Sequence, residues 1–291
     1  MGAVTNVRTV EVVANVASGS VGKDGPAEIA RILADFGLAA HVRAPETHEL
    51  SASLRKAVDA APDLLIVLAG DGTARAAAEL CGPDGPVIAP LPGGTMNMLP
   101  HAIYGVRPWQ AALTIALQQG YERPIGGGVV EGHSFLVAGI FGPPALWAPA
   151  REAVRYGKPR LAWLRARRAL RRTFHGRLRY SLDGGPREKA EAMVVMCPLA
   201  SRALSNDMQA LEAAAVDVEG VADLLSLGFH AVTGDWRESP GVAAQPCQVA
   251  RIWGAKGVPA LLDGESVQLK SLAEARYTAN VARILAIPKD V

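Results

Sequence analysis

From Thr9 to Gln119 the chain alternates short apolar runs with stretches of helical periodicity. Thr9 to Ala14 is rich in β-branched residues and reads as a first strand. Pro26 to Phe36 reads as a helix, with Pro near its first turn and Gly37 after its end. Leu38 to Arg43 is a second strand. Leu50 to Ala60 is an amphipathic helix that stops before Pro62. Leu64 to Ala69 is apolar at every position, the pattern of a strand buried on both faces. Ala74 to Leu80 resumes at helical propensity, with Thr73 placed to cap it. Val87 to Leu91 is another buried run. Met98 to Ile103 begins a helix, and Pro108 to Gln119 forms another.

The alternation stops at Gly126. Gly126-Gly-Gly128 reads as a break, and Val129-Val130 with Ser134 to Ala138 as a hairpin around Gly132. Arg177 to Leu182 and Glu191 to Met196 are strands separated by Asp183-Gly-Gly-Pro186. Ala222 to Leu227, Gln248 to Trp253, Val258 to Leu262 and Val267 to Lys270 add more. Short strands between turn signals predict a sandwich.

Composition narrows the class. The chain has 291 residues, 49% of them hydrophobic and 20% charged, so it can bury a sizeable core. Its net charge of +2 says little as a total. Cys81, Cys197 and Cys247 are far apart, which predicts buried reduced thiols and no metal or redox pair. The scattered histidines have no zinc spacing. No apolar run is long enough for a membrane span and no signal-peptide pattern opens the chain, so a cytoplasmic protein is expected.

Two Gly-rich turns carry the candidate chemistry. Gly70-Asp71-Gly72-Thr73 follows one buried strand, and Pro92-Gly-Gly-Thr-Met-Asn97 follows the next. Neighbouring parallel strands would bring both turns to one crevice. Glycines let backbone amides approach phosphate oxygens, and a helix N-terminus favours anions. Thr95 and Asn97 can donate hydrogen bonds to phosphate or a ribose hydroxyl. Asp71 is itself an anion, so a cation must join the site, or Asp71 must handle a proton. Phosphoryl transfer from a magnesium nucleotide meets both needs. A tight turn with a capping Asp explains the same residues without chemistry. The earlier loop, Asn15 to Lys23, is not a Walker A motif. Ala17 stands at the first Gly position, and Asp24 replaces the magnesium-binding Ser or Thr.

Asn15 with Ser18-Gly19, then Ala69-Gly-Asp-Gly-Thr73, then Pro92-Gly-Gly-Thr-Met-Asn97 occur in an order that resembles the diacylglycerol kinase catalytic domain family. That family includes bacterial lipid kinases and sphingosine kinases, and its superfamily contains NAD kinases. The resemblance covers about residues 8 to 125 and continues more weakly through Leu262-Asp-Gly-Glu265. It implies an α/β fold. A Rossmann-like nucleotide-binding domain, 1–125 with about 277–291, would be followed by a β-sandwich lipid domain, 126–276. The active site would lie in the cleft between them. The implied reaction moves the γ-phosphoryl of ATP to a diacylglycerol-like or sphingoid hydroxyl, with Mg2+. The alternatives are an NAD kinase-like enzyme and a nucleotide-binding protein with weak or no turnover.

The resemblance assigns nucleotide binding to Asn15, Ser18, Gly19, Gly70, Gly72, Thr73, Gly93, Gly94, Thr95 and Asn97. It assigns magnesium to Asp71. Asp263-Gly264 alone reads as a hairpin turn. By resemblance Asp263 is a candidate general base and Glu265 an orienting or metal-linked carboxylate, so the catalytic set is Asp71, Asp263 and Glu265. Which of Asp71 and Asp263 takes the proton stays open at this level. The chain departs from the family at Ala69, at Val16-Ala17, at Gly126 and around Leu211 to Val218, where an Asp-Gly-Leu loop is usual.

Between Arg151 and Arg179 the chain has eleven Lys or Arg residues and one acid, Glu152. Arg160 to Arg172 reads as a basic amphipathic helix containing Trp163. Arg165, Arg167, Arg168, Arg171 and Arg172 would face an anionic membrane, giving peripheral attachment at its inner face. A solvated helix face explains the same pattern. No aromatic-interleaved motif points to nucleic acid. A homodimer is left open.

Overall fold

The computed structural model describes residues 7–143, 145, 178–201, 204, 209–216 and 242–288. The chain divides into two units, Met1–Gly126 with Ala279–Val291, and Gly127–Thr278.

The first unit opens with β1 (Val10–Ala14), α1 (Gly25–Asp35), β2 (Ala40–Arg43), α2 (Leu50–Asp59) and β3 (Leu64–Ala69). It continues with α3 (Asp71–Cys81), β4 (Val87–Pro92), α4 (Met98–Tyr104) and α5 (Trp109–Gln119). The first four strands form a parallel sheet in the order β2-β1-β3-β4. All six residues of β3 are buried, because helices cover both of its faces. α2 and α3 pack together on one side, and α1 contacts α5 on the other. Right-handed crossovers require this split, since the chain moves outward in opposite directions from β1 and from β3. The reversal makes the gap between β1 and β3 the topological switch point of the sheet.

The carboxylate of Glu11 on β1 is buried at an edge of this core. Arg43 Nε donates to it at 2.8 Å, and His41 Nδ1 lies 3.1 Å away.

The second unit contains a six-stranded sheet in the order β12-β11-β10-β7-β14-β15. These strands are β7 (Ala138–Phe141), β10 (Ala192–Met196), β11 (Leu211–Val216), β12 (Val242–Cys247), β14 (Val258–Leu262) and β15 (Glu265–Leu269). A second sheet is built from β8 (Leu178–Leu182), β9 (Glu188–Ala190), β13 (Val249–Trp253) and the first part of β16 (Leu272–Ala286). Their pairings are antiparallel. Phe135, Phe141, Met193 and Val195 share one core cluster with Tyr180, Ile252 and Ala273, so residues of both sheets face inward. That is a sandwich.

The strand β5 (Tyr121–Val130) and β6 (His133–Phe135) form the hairpin around Glu131-Gly132. The triple glycine does not break the chain: β5 runs through Gly126-Gly127-Gly128 as one strand. A Cβ on Gly128 would lie 2.1 Å from the Phe135 ring, so glycine here makes room for an aromatic side chain. Leu211–Val216 is strand, where the family usually has a loop. The predicted strand Ala222 to Leu227 and the predicted basic helix lie outside the described residues, with Arg165, Arg167, Arg168, Arg171 and Arg172. The three cysteines are free and buried. Among the described residues no helix is long and apolar enough to cross a membrane.

Candidate functional site

Three loops leave the C-terminal ends of β1, β3 and β4, and hydrogen bonds tie them together. The N–H of Asn15 donates to the Leu68 carbonyl at 2.9 Å, which extends the β1–β3 pairing by one residue. The Asn15 Oδ1 accepts the Ala17 N–H at 3.1 Å, and the Asn15 carbonyl accepts the Ser18 N–H at 2.9 Å. Asn15 thus folds the loop back on itself at the sheet edge. Two bonds then reach the β4 loop. Ser20 Oγ donates to the Pro92 carbonyl at 3.1 Å, and the Ser20 N–H donates to the Gly93 carbonyl at 3.2 Å. Ser20 is a fastening residue that motif reading passed over. A second hydroxyl in Ser18-Gly-Ser20 was the available signal.

The β3 and β4 loops touch through glycine. A Cβ on Gly93 would lie 2.8 Å from the Ala69 nitrogen, and one on Gly94 would lie 2.7 Å from the Gly70 Cα. Gly19 and Gly70 stand in more open surroundings. A Cβ on Gly19 would come no closer than 3.8 Å to Thr95 Oγ1, and one on Gly70 no closer than 3.8 Å to Ser18 Oγ. The structure therefore brings Ser18, Gly19, Gly70, Gly94 and Thr95 to one place beside the switch point.

Asn97 fixes the β4 loop. Its backbone is left-handed, at φ +51°. Its Oδ1 accepts the Gly94 N–H at 2.7 Å, and its Nδ2 donates to the Gly94 carbonyl at 3.1 Å. Asn tolerates this backbone because its short polar side chain can bond locally. The Gly94 amide is consequently engaged within the loop.

α3 begins at Asp71, earlier than the sequence suggests. Gly70, with extended backbone, occupies the N-cap position, and the N–H groups of Thr73 and Ala74 donate to its carbonyl at 3.0 and 3.1 Å. Thr73 is thus inside the first turn and does not cap. Gly72 and Thr73 flank Asp71 on that turn.

The Asp71 Oδ1 accepts the N–H of Leu99 at 3.1 Å, near the start of α4. Burial raises the Asp71 pKa above the ordinary carboxylate value, while the amides of Leu99, Met98 and Asn97 pull it down. A half-buried carboxylate aimed at a helix start is held in one orientation. As for magnesium, no cluster of three His, Cys, Asp or Glu ligands occurs among the described residues. One carboxylate is still a suitable partner, because magnesium is commonly held by one or two carboxylates plus substrate phosphates. The single Asp71 beside three glycine-bearing loops fits that mode.

The second unit holds Asp263 and Glu265. Asp263 and Gly264 have φ of +46° and +89°, the left-handed pair of a tight hairpin between β14 and β15. The Asp263 carboxylate is buried and accepts three backbone N–H groups, from Leu136 at 2.6 Å and from Val137 and Ala138 at 2.9 Å. These bonds join the hairpin to the segment between β6 and β7. They engage both carboxylate oxygens. Glu265 is exposed at the start of β15.

Residues 9–126 match the family described as the diacylglycerol kinase catalytic domain. No curated protein matches the chain in sequence. Among solved structures, a diacylglycerol kinase from Bacillus anthracis str. Sterne superposes with a TM-score of 0.67 at 15% identity, covering 98% of this chain and 99% of that one. An NAD kinase from Archaeoglobus fulgidus in complex with ATP gives a TM-score of 0.51 at 11% identity, covering 97% and 94%. Yeast NADH kinase complexed with NADH gives 0.51 at 12% identity, covering 98% and 84%. The resemblance to the diacylglycerol kinase catalytic domain family therefore holds in sequence over residues 9–126 and in fold over nearly the whole chain.

Proposed function

We propose that this chain is an ATP-dependent lipid kinase, transferring the γ-phosphoryl group to the hydroxyl of a diacylglycerol-like or sphingoid lipid. The observation that carries the reading is the convergence of the three loops around Asp71 at the switch point of the parallel sheet. The family match to residues 9–126 supports it.

In this reading Ser18, Gly19, Gly70, Gly72, Thr73 and the Gly93 to Asn97 loop line the nucleotide phosphates. Small residues there let the phosphates approach the backbone. Asp71 would hold magnesium together with phosphate oxygens. When bound, magnesium neutralises charge on the transferring group. The acceptor oxygen forms its bond to the γ-phosphorus as the bond from that phosphorus to the bridging oxygen breaks, and ADP leaves. The hydroxyl proton becomes strongly acidic once the new bond forms, so a positioned carboxylate suffices to take it. Asp263 is buried and its two oxygens already accept three backbone amides. Its assigned task is to hold the β14–β15 hairpin against the β6–β7 segment.

The test is a screen of lipid alcohols with labelled ATP, run beside ATP binding measured by calorimetry. Labelled phospholipid product supports the proposal. Absence of both turnover and ATP binding overturns it. NADP formation from NAD would favour the NAD kinase-like alternative, and ATP binding without any transfer would identify a nucleotide-binding protein that lacks turnover.

A further inference from the structure

The solvent-facing side of the sheet β9-β8-β13-β16 in the second unit has a marked charge bias. Register puts Lys189 opposite Arg179, Arg179 opposite Trp253, and Trp253 opposite Leu272, one row across four strands. The next row pairs Arg251 with Glu274. The buried alternate positions Ala250, Ile252, Ala273 and Ala275 belong to the sandwich core, so these rows face outward. Arg187 lies on the same side, its guanidinium 4.4 Å from the centre of the Trp253 ring. Arg276 adds a fifth cation. Among the described residues, the one carboxylate that register places in these rows is Glu274, which bonds Arg251 at 2.5 Å and also pairs with Arg276.

Two apolar features accompany the charge. Leu272 is 48% exposed and is the one exposed large aliphatic or aromatic side chain of the second unit among the described residues. Beside it runs an open groove of about 580 Å3, whose lining includes Val129, Glu131, Lys270, Leu272, Glu274 and Arg276.

We propose that this sheet face docks on an anionic phospholipid bilayer. Charge complementarity selects the occupant: five cations against the single carboxylate of Glu274 in these rows match a layer of phosphate and carboxylate headgroups. Trp253 and Leu272 separate a bilayer from nucleic acid. An indole sits well at the headgroup level and an exposed leucine gains from entering the interface, whereas neither gains from a sugar–phosphate backbone alone. The stems of Arg179 and Lys189 can lie along the surface while their heads reach the phosphates. The surface uses none of the residues of the basic stretch at 160–172. The choice of a bilayer rests on the lipid-kinase reading, and the docking would bring the second unit to where a lipid hydroxyl is found.

The test is cosedimentation of the full chain, without nucleotide, with phosphatidylcholine vesicles that contain or lack phosphatidylserine. The wild type is expected to partition onto the phosphatidylserine vesicles only, and less as salt rises. Arg179→Gln with Lys189→Gln should lower that partitioning by about 25-fold, at about fivefold per charge. The melting temperature should not change, because both side chains are exposed. Leu272→Ser should weaken partitioning at every salt concentration. Unchanged partitioning of the double variant overturns the proposal, as does equal binding of the wild type to neutral vesicles. Loss of duplex DNA binding in the double variant, with vesicle binding intact, also overturns it. Transfer to a soluble short-chain diacylglycerol, assayed separately, reports on the kinase reading without requiring a vesicle.

Discussion

A Cβ built on Gly94 would stand 2.7 Å from the Cα of Gly70, so the loops after β3 and β4 touch backbone to backbone. Real Cβ atoms do not approach that closely, and backbone cannot swing aside as a side-chain tip can. A bulky residue at Gly94 therefore disturbs the packing of the two loops as well as any phosphate cradle they form. Gly94→Val should destabilise the first unit by about 1–3 kcal/mol, the usual cost of overpacking. Nucleotide affinity should fall in the same variant, and a urea titration will show the two losses together.

Gly19→Ala is the cleaner probe of the phosphate cradle. The added methyl meets nothing nearer than 3.8 Å, and Gly19 does not have a left-handed backbone. The variant should keep the wild-type melting temperature. Its ATP affinity should drop if phosphate oxygens pass close to this backbone, and isothermal titration calorimetry reads that directly.

Asp71→Asn should give opposite results in binding and in stability. The amide keeps an oxygen for the Leu99 N–H and loses the charge. Magnesium-dependent nucleotide affinity should fall, and transfer should drop by about 10²-fold or more. Stability should rise. Burial raises the folded-state pKa of Asp71 above its unfolded value, so the folded state binds the proton more tightly. Its contribution to stability is therefore greatest below the unfolded pKa and declines as pH rises through the folded one. At neutral pH and without nucleotide, the ionised wild-type carboxylate disfavours folding and Asn does not. Melting curves recorded from acid to neutral pH should converge at the acid end and separate with the variant higher at pH 7.

Asp263 should behave as a structural residue. Asp263→Ala leaves the amides of Leu136, Val137 and Ala138 without their acceptor, at about 1–3 kcal/mol for each buried donor left unsatisfied. Asp263→Asn turns one acceptor oxygen into a donor against those same amides. Both variants should melt early, and transfer should fall only in step with the folded fraction. If Asp263→Asn melts normally yet loses transfer, the proton belongs to Asp263.

Asn97 tests how far the β4 loop depends on one side chain. Asn97→Ala loses both bonds to Gly94 and puts alanine at a positive φ, which costs about 1–2 kcal/mol for the backbone alone. Asn97→Gly tolerates the backbone and loses only the bonds, so it should be the milder change. The difference between their unfolding free energies isolates the backbone contribution.

The local sequence determined the elements of the first unit. Leu64 to Ala69 is uniformly apolar, and only a strand covered on both sides can use such a run, so β3 appears with the expected bounds. The β14–β15 hairpin was legible because Asp-Gly supplies two residues that accept positive φ. Apolar periodicity and turn chemistry are short-range properties, and one chain segment contains them. Other features needed partners far away in sequence. Gly126-Gly-Gly128 reads as a break because glycine lacks strand propensity. It is strand because the Phe135 ring occupies the space a side chain at Gly128 would take. Thr73 reads as a cap because its type suits one, yet α3 starts at Asp71 with Gly70 ahead of it. The motif names Asp263 as a candidate base, whereas three amides some 125 to 127 residues away commit its carboxylate to holding a hairpin. Sequence thus determined most strands and helices of the first unit and the β14–β15 turn. Tertiary structure decided what Gly94, Gly128 and Asp263 do, because steric room and hydrogen-bond partners at those positions come from distant parts of the chain.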